Sequence, residues 1–400
     1  MENAFTLFWS KCKRLNWALL ASTFLLATLG ILFVRSACSA RETAELRNLW
    51  VGQLQFALYG AAIMAVLAFW DYRHWLRWAP WIYFGVLVSL VLVLIPGFGV
   101  ARMGARRWLY GLQPSEPAKL GVIFLLAWLL GAGEAWTKRF RGLAACVAIV
   151  GVPAALILCE PDLGTVLVLG PTALAMLFAA RVTPKTLGAA VLAAALAVAY
   201  EVTLIHAATA PETDPARAER LMKLTLLKPY QVKRVETFLY PQRDLTGKGW
   251  NAYQSEIAVG SGGAWGKGYG KGVQHRLGFL PAKVSVNDFI FPVVAEETGF
   301  AGSAALLGLF FFGCLVPGVI IGSRCDDDEG RLLCAGTTAL LFCHVFINIG
   351  MTVRIVPITG LPLPFISQGG TFMLVAMSAA GVLQSVAIHG RMRRDSTFRR

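Results

Sequence analysis

The sequence predicts an all-α polytopic membrane protein with about ten transmembrane helices. Of the 400 residues, 56% are hydrophobic and only 15% are charged, which is outside the range of a soluble globular domain. Apolar runs of about 18 residues or more recur along most of the chain, and each is long enough to cross the hydrocarbon core. Lipid offers no partner to backbone polar groups, so each run is expected to be a helix.

The ten predicted spans follow in chain order within one polytopic domain, 1–400. They cover residues 16–36, 49–70, 78–96, 115–132, 141–159, 163–180, 186–206, 289–322, 331–351 and 370–389. The first is expected to be an uncleaved span, with a cleaved signal peptide as the alternative. The eighth run is too long for one perpendicular crossing at about 1.5 Å per residue. Its first residues, Asp288 to about Ala295, are therefore expected at or above the interface.

The placement of Lys and Arg predicts that both termini are cytoplasmic. With the N-terminus inside, short inner segments hold seventeen of these residues and short outer segments hold seven. A large extracytoplasmic loop, 207–287, then carries twelve Lys or Arg against six Asp or Glu. This excess favours an anionic ligand held at the membrane lipid surface over nucleic acid. The eight cysteines and five histidines show no metal or redox spacing.

The segment "GARRWLYGLQPSEPAKL", 104–120, leads into the fourth span. Ser115 or Glu116 before Pro117 is a typical helix start. Lys119 is unusual there, because a cation in the first turn opposes the helix dipole and is expensive near lipid. Two interpretations remain: Lys119 faces a wet cavity, or it forms an i,i+3 ion pair with Glu116 that fixes the helix end.

The segment "GSGGAWGKGYGKG", 260–272, has seven glycines in thirteen residues but matches no nucleotide-binding pattern. One interpretation is that its backbone amides, with Lys267 and Lys271, bind a pyrophosphate. The other is a tightly turning surface loop.

Another unusual outer segment, 352–369, contains three prolines in an apolar stretch. A re-entrant or irregular loop flooring an outward-facing site is expected there.

The segment "SVNDFIFPVVAEETGF", 285–300, places Asp288 just before the eighth apolar run. Taken alone, Asp288 is expected to be a helix N-cap. The alternative is a general base whose pKa is raised by partial desolvation. Glu296 and Glu297 are expensive early in a span, so at least one is expected to face a polar interior.

In this order, the segments resemble the SEDS family (shape, elongation, division and sporulation), specifically its RodA branch. The motifs are "GARRW" and "QPSEPAK" at 104–119, "EPDLGT" at 160–165, "VKRVETFLYPQRDLTGKGWNAYQSEIAVGSGGAWGKG" at 232–268, "FLPAKVSVNDFIFPVVAEETG" at 279–299 and "PLPFISQGGT" at 362–371. The similarity covers nearly the whole chain. It departs from the family pattern at Glu160, at Gln368 and in the longer stretch before Asp288.

The resemblance implies the ten-helix SEDS fold and a peptidoglycan glycosyltransferase that polymerises lipid II at the outer face of the bacterial inner membrane. It implies a role in cell elongation and shape, and a class B penicillin-binding protein, a transpeptidase, as partner. An inverting mechanism is expected if Asp288 removes the proton of the attacking hydroxyl. No organic cofactor is expected. A divalent cation, Mg or Mn, is an alternative source of positive charge, with Asp288, Glu116 or outer-edge acids such as Glu160 and Asp162 as candidate ligands.

The resemblance matches Asp288, Arg107, Trp108, Glu116 and Lys119 to family motifs, and Lys267 and Lys271 are added from the glycine segment. Asp288 is expected to be catalytic. The expected substrate-binding residues are Arg107, Trp108, Glu116, Lys119, Lys267, Lys271 and Ser367. Two rival functions remain. A lipid II flippase would need polar groups along a path across the bilayer, whereas the unusual polar residues here lie at the outer rim. A scaffold for wall-synthesis partners is the other.

Overall fold

The computed structural model describes residues 4–39, 44–102, 105–133, 140–210, 213–241 and 248–391. Several residues used in the predictions lie outside these ranges. They are Gly104, Lys138, Arg139, residues 242–247 of the family-like block and the basic residues from 393 onward.

The described residues are mainly helical. The α-helices are α1 (Ala4–Lys13), α2 (Trp17–Cys38), α3 (Ala44–Arg47), α4 (Leu49–Phe69), α5 (Tyr72–Leu76), α6 (Ala79–Leu94), α7 (Ser115–Gly131), α8 (Phe140–Cys159), α9 (Leu163–Ala179), α10 (Pro184–Thr209), α11 (Pro215–Leu224), α12 (Pro229–Leu239), α13 (Lys248–Ser261), α14 (Val273–Arg276), α15 (Ala282–Val286), α16 (Ile290–Phe310), α17 (Val316–Arg324), α18 (Asp328–Thr352) and α19 (Gly370–His389). A π-helical turn, Phe311–Leu315, joins α16 to α17. Strands β1 (Val100–Arg102) and β2 (Ala105–Trp108) form an antiparallel ribbon.

Each of the ten predicted spans corresponds to a helix, which confirms the all-α polytopic fold. The eighth span is α16 and α17 together. In the part of the chain that the structure describes, seven helices are both long and apolar enough to cross a membrane, and α6 and α9 are shorter apolar helices. The fourth span, α7, is also short and carries the charged side chains of Glu116 and Lys119. The chain is a multi-pass membrane protein.

The centre of the bundle is formed by α18 and α19. Of the most apolar stretch of α19, 89% is buried inside the protein, against 6% for the peripheral α10. Glycines allow α4 and α19 to pack closely: a Cβ on Gly60 would stand 2.7 Å from the Met377 Cγ, and one on Gly381 would stand 2.8 Å from the Met64 carbonyl oxygen. Such close contacts stabilise helix pairs where lipid provides no hydrophobic driving force.

One end of the bundle carries the ribbon, the described part of residues 207–287 and the irregular residues 353–369, and it is called the outer end below. The described residues of the predicted extracytoplasmic loop, 207–287, are largely helical. Their helices α11 and α12 both begin at a proline, whose fixed φ suits the first helical turn. Residues 353–369 have no regular secondary structure, and many of their side chains are buried.

Helix α16 is broken at Gly299, where φ is 69° and ψ is −165°. The residues before the break, 290–298, are almost all buried in the protein. Those after it continue through the π-helical turn to Arg324, and they are numerous enough to cross the bilayer alone at about 1.5 Å per residue. The break therefore separates the first part of the long eighth run from the remainder.

Candidate active site

A cavity of about 200 Å³ lies at the outer end, and four of the eight predicted site residues line it. Its lining includes Arg107, Trp108, Glu116, Asp162, Asp288 and Gln368. These residues come from β2, α7, the start of α9, the turn before α16 and the irregular segment 353–369. The packing of separate spans therefore places acids and a guanidinium around one volume.

Asp288 does not cap α16, so the N-cap interpretation is wrong. The residue at the cap position is Phe289, and its side chain makes no capping hydrogen bond. The Asp288 carbonyl accepts from the Asn348 Nδ2 at 2.9 Å. Its half-buried carboxylate lines the cavity and lies beside Gly360, where a Cβ would stand 3.1 Å from the Asp288 Oδ2.

The surroundings of Asp288 raise the pKa of its carboxyl to about 6. Desolvation by burial is the main cause, Asp162 adds to it, and the positive charges of Arg234 and Arg107 oppose it. Arg234 lies on α12, and its Nη1 donates to the Thr359 carbonyl at 2.6 Å. The sequence interpretation missed Arg234, because no local pattern distinguishes it from the other basic residues of 207–287.

Asp162 explains two polar residues of the "QPSE" segment. It caps α9, accepting from the Thr165 backbone N–H at 3.3 Å and from the Thr165 Oγ1 at 3.0 Å. Its Oδ2 also accepts from the Gln113 Nε2 at 3.2 Å and from the Ser115 Oγ at 3.4 Å. These hydrogen bonds fix the start of α7 against the start of α9.

Lys119 was expected to bind substrate, but it does not line the cavity. Its Nζ is fully buried, 2.8 Å from the Glu116 Oε2 and 2.9 Å from the His344 Nε2. An ammonium can only donate, so this His344 nitrogen accepts and the Nδ1 carries the proton toward the Pro362 carbonyl, 3.3 Å away. The ion-pair interpretation is the one that fits, since a buried cation needs a partner. Only Glu116 of this pair reaches the cavity.

Arg107 lines the cavity with Trp108, as expected. Its Nε donates to the Glu160 carbonyl at 2.9 Å, and its Nη2 donates to the Pro161 carbonyl. Backbone carbonyls hold the guanidinium, so its hydrogen bonds leave the charge unneutralised. The Glu160 carboxyl is buried without a hydrogen-bond partner among the described residues. Burial, and secondarily Asp162, raise the pKa of Glu160 to about 8 against the opposing charge of Arg107.

Three other expected binding residues lie outside the cavity lining. The Ser367 Oγ donates to the Asn287 carbonyl at 2.6 Å and accepts from the Leu363 N–H at 2.7 Å, so Ser367 ties the irregular segment to the turn before Asp288. The Lys267 Nζ lies 2.7 Å from the buried Glu296 Oε1. Lys271 is exposed in the same glycine segment. The structure does not bring Lys267 and Lys271 to the cavity.

Asp288 and Glu116 share the cavity as the sequence interpretation required for cation ligands. Among the described residues, however, no group of three or more His, Cys, Asp or Glu side chains is placed to hold a metal ion. Glu116 is already paired with Lys119. A Mg²⁺ ion needs only one or two carboxylates when substrate phosphates complete its coordination. The residues present fit only such a substrate-shared cation.

Comparisons with known proteins agree with the family that the motifs indicate. The family model described as "Cell cycle protein", which covers FtsW, RodA and SpoVE, matches residues 16–392. The peptidoglycan glycosyltransferase MrdB of Escherichia coli K12 is 33% identical over 346 residues, 86% of this chain and 85% of the relative. The peptidoglycan glycosyltransferase RodA of Treponema pallidum is 31% identical over 427 residues, 93% of this chain and 97% of the relative.

The fold also matches a solved structure described as "Structural coordination of polymerization and crosslinking by a peptidoglycan synthase complex". The TM-score is 0.73 at 26% sequence identity, and the match covers 93% of this chain and 97% of that chain. Fold and sequence therefore agree over nearly the whole length of both proteins.

Proposed function

The chain belongs to the cell cycle protein family of FtsW, RodA and SpoVE, and we propose that its outer cavity polymerises lipid II with Asp288 as general base. It is a peptidoglycan glycosyltransferase of the SEDS family. The observation that carries the proposed mechanism is the half-buried Asp288 carboxylate, which lines the same cavity as Arg107. The bacterial inner membrane, cytoplasmic termini and the RodA role in cell elongation are part of the proposal.

The proposed reaction joins two lipid-linked sugars. The acceptor's 4-hydroxyl attacks the anomeric carbon of the growing chain from the side opposite the lipid pyrophosphate. A new carbon–oxygen bond forms, the bond to the pyrophosphate breaks with its electron pair, and the configuration inverts. Asp288 takes the hydroxyl proton. With a pKa of about 6, its carboxyl is ionised near neutral pH and still basic enough to assist the attack.

The leaving pyrophosphate needs positive charge as its bond breaks. Arg107 lines the cavity, and Arg234 acts on Asp288 from the adjacent α12. Guanidinium groups bind phosphate oxygens through paired N–H donors. We assign this role to these two arginines in place of Lys119, which is fully buried and paired with Glu116. In this proposal Glu116 accepts hydrogen bonds from sugar hydroxyls, and Lys119 fixes its position.

A divalent cation remains an optional part of the proposal. Mg²⁺ or Mn²⁺ would supply charge to the pyrophosphate, with Asp288 or Glu116 as its protein ligand. A cation bound to Asp288 would compete with the proton that this carboxylate is proposed to accept. Polymerisation rates of the purified protein after chelation, with and without added Mg²⁺, measure the requirement. Unchanged rates after chelation would remove the cation from the mechanism.

We propose a class B penicillin-binding protein, a transpeptidase, as partner. The match to a synthase complex supports a partner of this kind. Two adjacent apolar grooves have volumes of about 430 and 550 Å³. The smaller lies along α16 and α18, the larger lies along α9, α17 and α18, and both include Phe311, Leu315 and Phe342. A transmembrane helix of the partner would bury these side chains. Val319→Trp fills the groove and is expected to reduce copurification with the transpeptidase; unchanged copurification would contradict this placement.

Asp288→Asn tests the base assignment most directly. The variant keeps size and polarity but cannot accept the proton, so it is expected to bind lipid II and to form no glycan polymer. A gel-based polymerisation assay on the purified chain measures the product. Asp214→Asn, at an exposed position in the same outer segment, is the matched control and should polymerise normally. Normal synthesis by Asp288→Asn would eliminate the assignment.

A flippase makes a different prediction that vesicles can test. With lipid II confined to the inner leaflet, a transporter would expose its headgroup to the outside without forming polymer. The glycosyltransferase proposal expects polymer from lipid II supplied on the outer side, and no headgroup movement.

A further inference from the structure

The glycine segment, residues 260–272, packs directly on the break in α16. In an unbroken helix, the Phe300 N–H would donate to the Glu296 carbonyl and the Ala301 N–H to the Glu297 carbonyl. The conformation of Gly299 separates these groups. Unpaired backbone groups inside a membrane protein are expensive, so each of the four must find another partner.

The glycine segment pairs all four of these groups. Phe300 N–H donates to the Gly263 carbonyl at 2.8 Å, and Ala301 N–H donates to the Ala264 carbonyl at 3.0 Å. In the other direction, the Glu296 carbonyl accepts from the Lys267 N–H at 3.0 Å and the Glu297 carbonyl accepts from the Gly268 N–H at 2.9 Å. The segment therefore takes the place of the missing helical bonds on both sides of the break.

The contact between the two backbones leaves no space for side chains. A Cβ on Gly266 would stand 2.2 Å from the Glu297 carbonyl oxygen, and one on Gly299 would stand 2.3 Å from the Gly266 nitrogen. Both residues also have positive φ, 80° and 69° respectively. Glycine is therefore needed at both positions for steric and conformational reasons.

Of the two adjacent acids of α16, Glu296 fastens the same segment and Glu297 ties the helix to α2. The Glu296 Oε1 lies 2.7 Å from the Lys267 Nζ and accepts from the Val273 N–H, also at 2.7 Å. The Glu297 Oε1 accepts from the Ser36 Oγ at 2.5 Å. Both glutamates are almost fully buried. These contacts explain why two costly carboxylates occur side by side, and they leave the Lys267 charge already neutralised.

The first half of α16, residues 290–298, runs from this break to the turn that carries Asp288. Asp288 lies eleven positions before Gly299, a distance of about 16 Å at about 1.5 Å per residue. A change of about 10° in the direction of this half-helix at the break would move its far end by about 3 Å. Misplacement of a reacting group by about 1 Å can cost about 100-fold in rate.

We propose that the glycine segment is a positioning element: it fixes the direction of the first half of α16 and thereby places Asp288 in the cavity. Lys267 and Glu296 are its positioning side chains. The inference rests on the proposed function of Asp288. It replaces the expectation that this segment binds pyrophosphate.

The test compares Lys267→Met with Lys267→Arg and with Lys271→Met in steady-state polymerisation. Lys267→Met leaves Glu296 without its counter-charge, so kcat is expected to fall about 10-fold or more, while KM for lipid II changes less than about twofold. Lys267→Arg retains the ion pair and is expected to restore most of kcat. Lys271→Met removes an exposed charge from the same segment and is expected to change neither constant. Lys267→Gln replaces Lys267→Met if that variant does not accumulate in membranes.

Hydrogen exchange provides a readout that does not depend on the reaction. Amides of residues 262–268 and 300–301 are expected to exchange faster in Lys267→Met than in the unaltered chain or in Lys267→Arg. An unchanged kcat with unchanged exchange would overturn the proposal. A rise in KM for both lysine variants at constant kcat would also overturn it, because a pyrophosphate-binding segment behaves in that way. Full activity of Asp288→Asn would reject the proposed function, whereas the exchange result would still decide whether the segment closes the break.

Discussion

Removing the Arg234 guanidinium should shift the pH at which Asp288 becomes active. The Asp288 Oδ2 and the Arg234 Nη2 lie 3.1 and 3.9 Å from one point, the position of a Cβ on Gly360. The two atoms are therefore at most about 7 Å apart. At that distance and an effective dielectric constant of about 20, unit charges attract by about 2.4 kcal/mol, equivalent to about 1.7 pKa units.

The sign of the shift follows from which form of Asp288 is the base. Arg234 favours the ionised carboxylate, and in its presence the pKa of Asp288 is about 6. In Arg234→Ala the pKa is expected to rise to between about 7 and 8. Activity requires the ionised form. As the solution is acidified, Arg234→Ala should therefore lose activity at a higher pH than the unaltered chain does. The loss should be large near pH 6.5 and smaller near pH 9.

Initial rates of glycan polymerisation between pH 5 and 9 measure this shift. The acid limb of kcat/KM reports the pKa of the free enzyme's base. Arg234→Lys keeps the charge and should keep the midpoint within about half a unit. Arg217→Ala removes an exposed arginine from α11 and is the matched control. A lower plateau in Arg234→Ala would reflect weaker support of the leaving group, so only the midpoint is diagnostic. An unshifted midpoint, or an equal shift in Arg217→Ala, would refute the reasoning.

Three further predictions concern residues around the cavity. Glu160→Gln should stabilise the protein increasingly between about pH 4.5 and 8. In the folded state the pKa of Glu160 is about 8, so folding favours the protonated carboxyl. The stability that the protonated carboxyl contributes is fully present below the unfolded-state pKa and is lost as the pH rises through about 8. The gain at pH 8 is at most about 5 kcal/mol; equal thermal shifts at pH 5 and 8 would contradict this. Lys119→Met should destabilise the fold by about 3–5 kcal/mol, because it leaves the buried Glu116 carboxylate unpaired. Denaturant unfolding in detergent measures this loss, and an unchanged midpoint would count against it. Gly360→Ala should lower kcat more than it changes KM, because its Cβ would stand 3.1 Å from the Asp288 Oδ2 at a backbone φ of 78°; full activity in the polymerisation assay would show that this approach is unimportant.

The membrane spans were predictable because lipid imposes a strong constraint on the chain. Every apolar run of sufficient length had to become a helix, and all ten appear. Glu116 and Arg107 were predictable as cavity residues for a related reason. Both stand beside the outer end of a span, in short segments that had few alternative positions.

Other parts of the site depend on packing between distant segments and could not be predicted. Arg234 meets Asp288 only because α12 folds against the irregular segment that contains Gly360. Lys119 was expected to contact substrate because it matches a lysine of the family motif, whereas its partner His344 is 225 residues away. The break at Gly299 was also hidden, since a glycine within an apolar run does not by itself end a helix.

The glycine segment precedes the eighth span in the chain, and Lys267 lies 29 residues before Glu296. During synthesis from the N-terminus, with the proposed orientation, this segment reaches the outer side before the broken helix leaves the insertion machinery. The backbone groups of the glycine segment that pair with the groups freed at the break are therefore present when the broken helix enters the membrane. The order of translation spares the nascent helix a period in which its separated carbonyl and amide groups would face lipid alone.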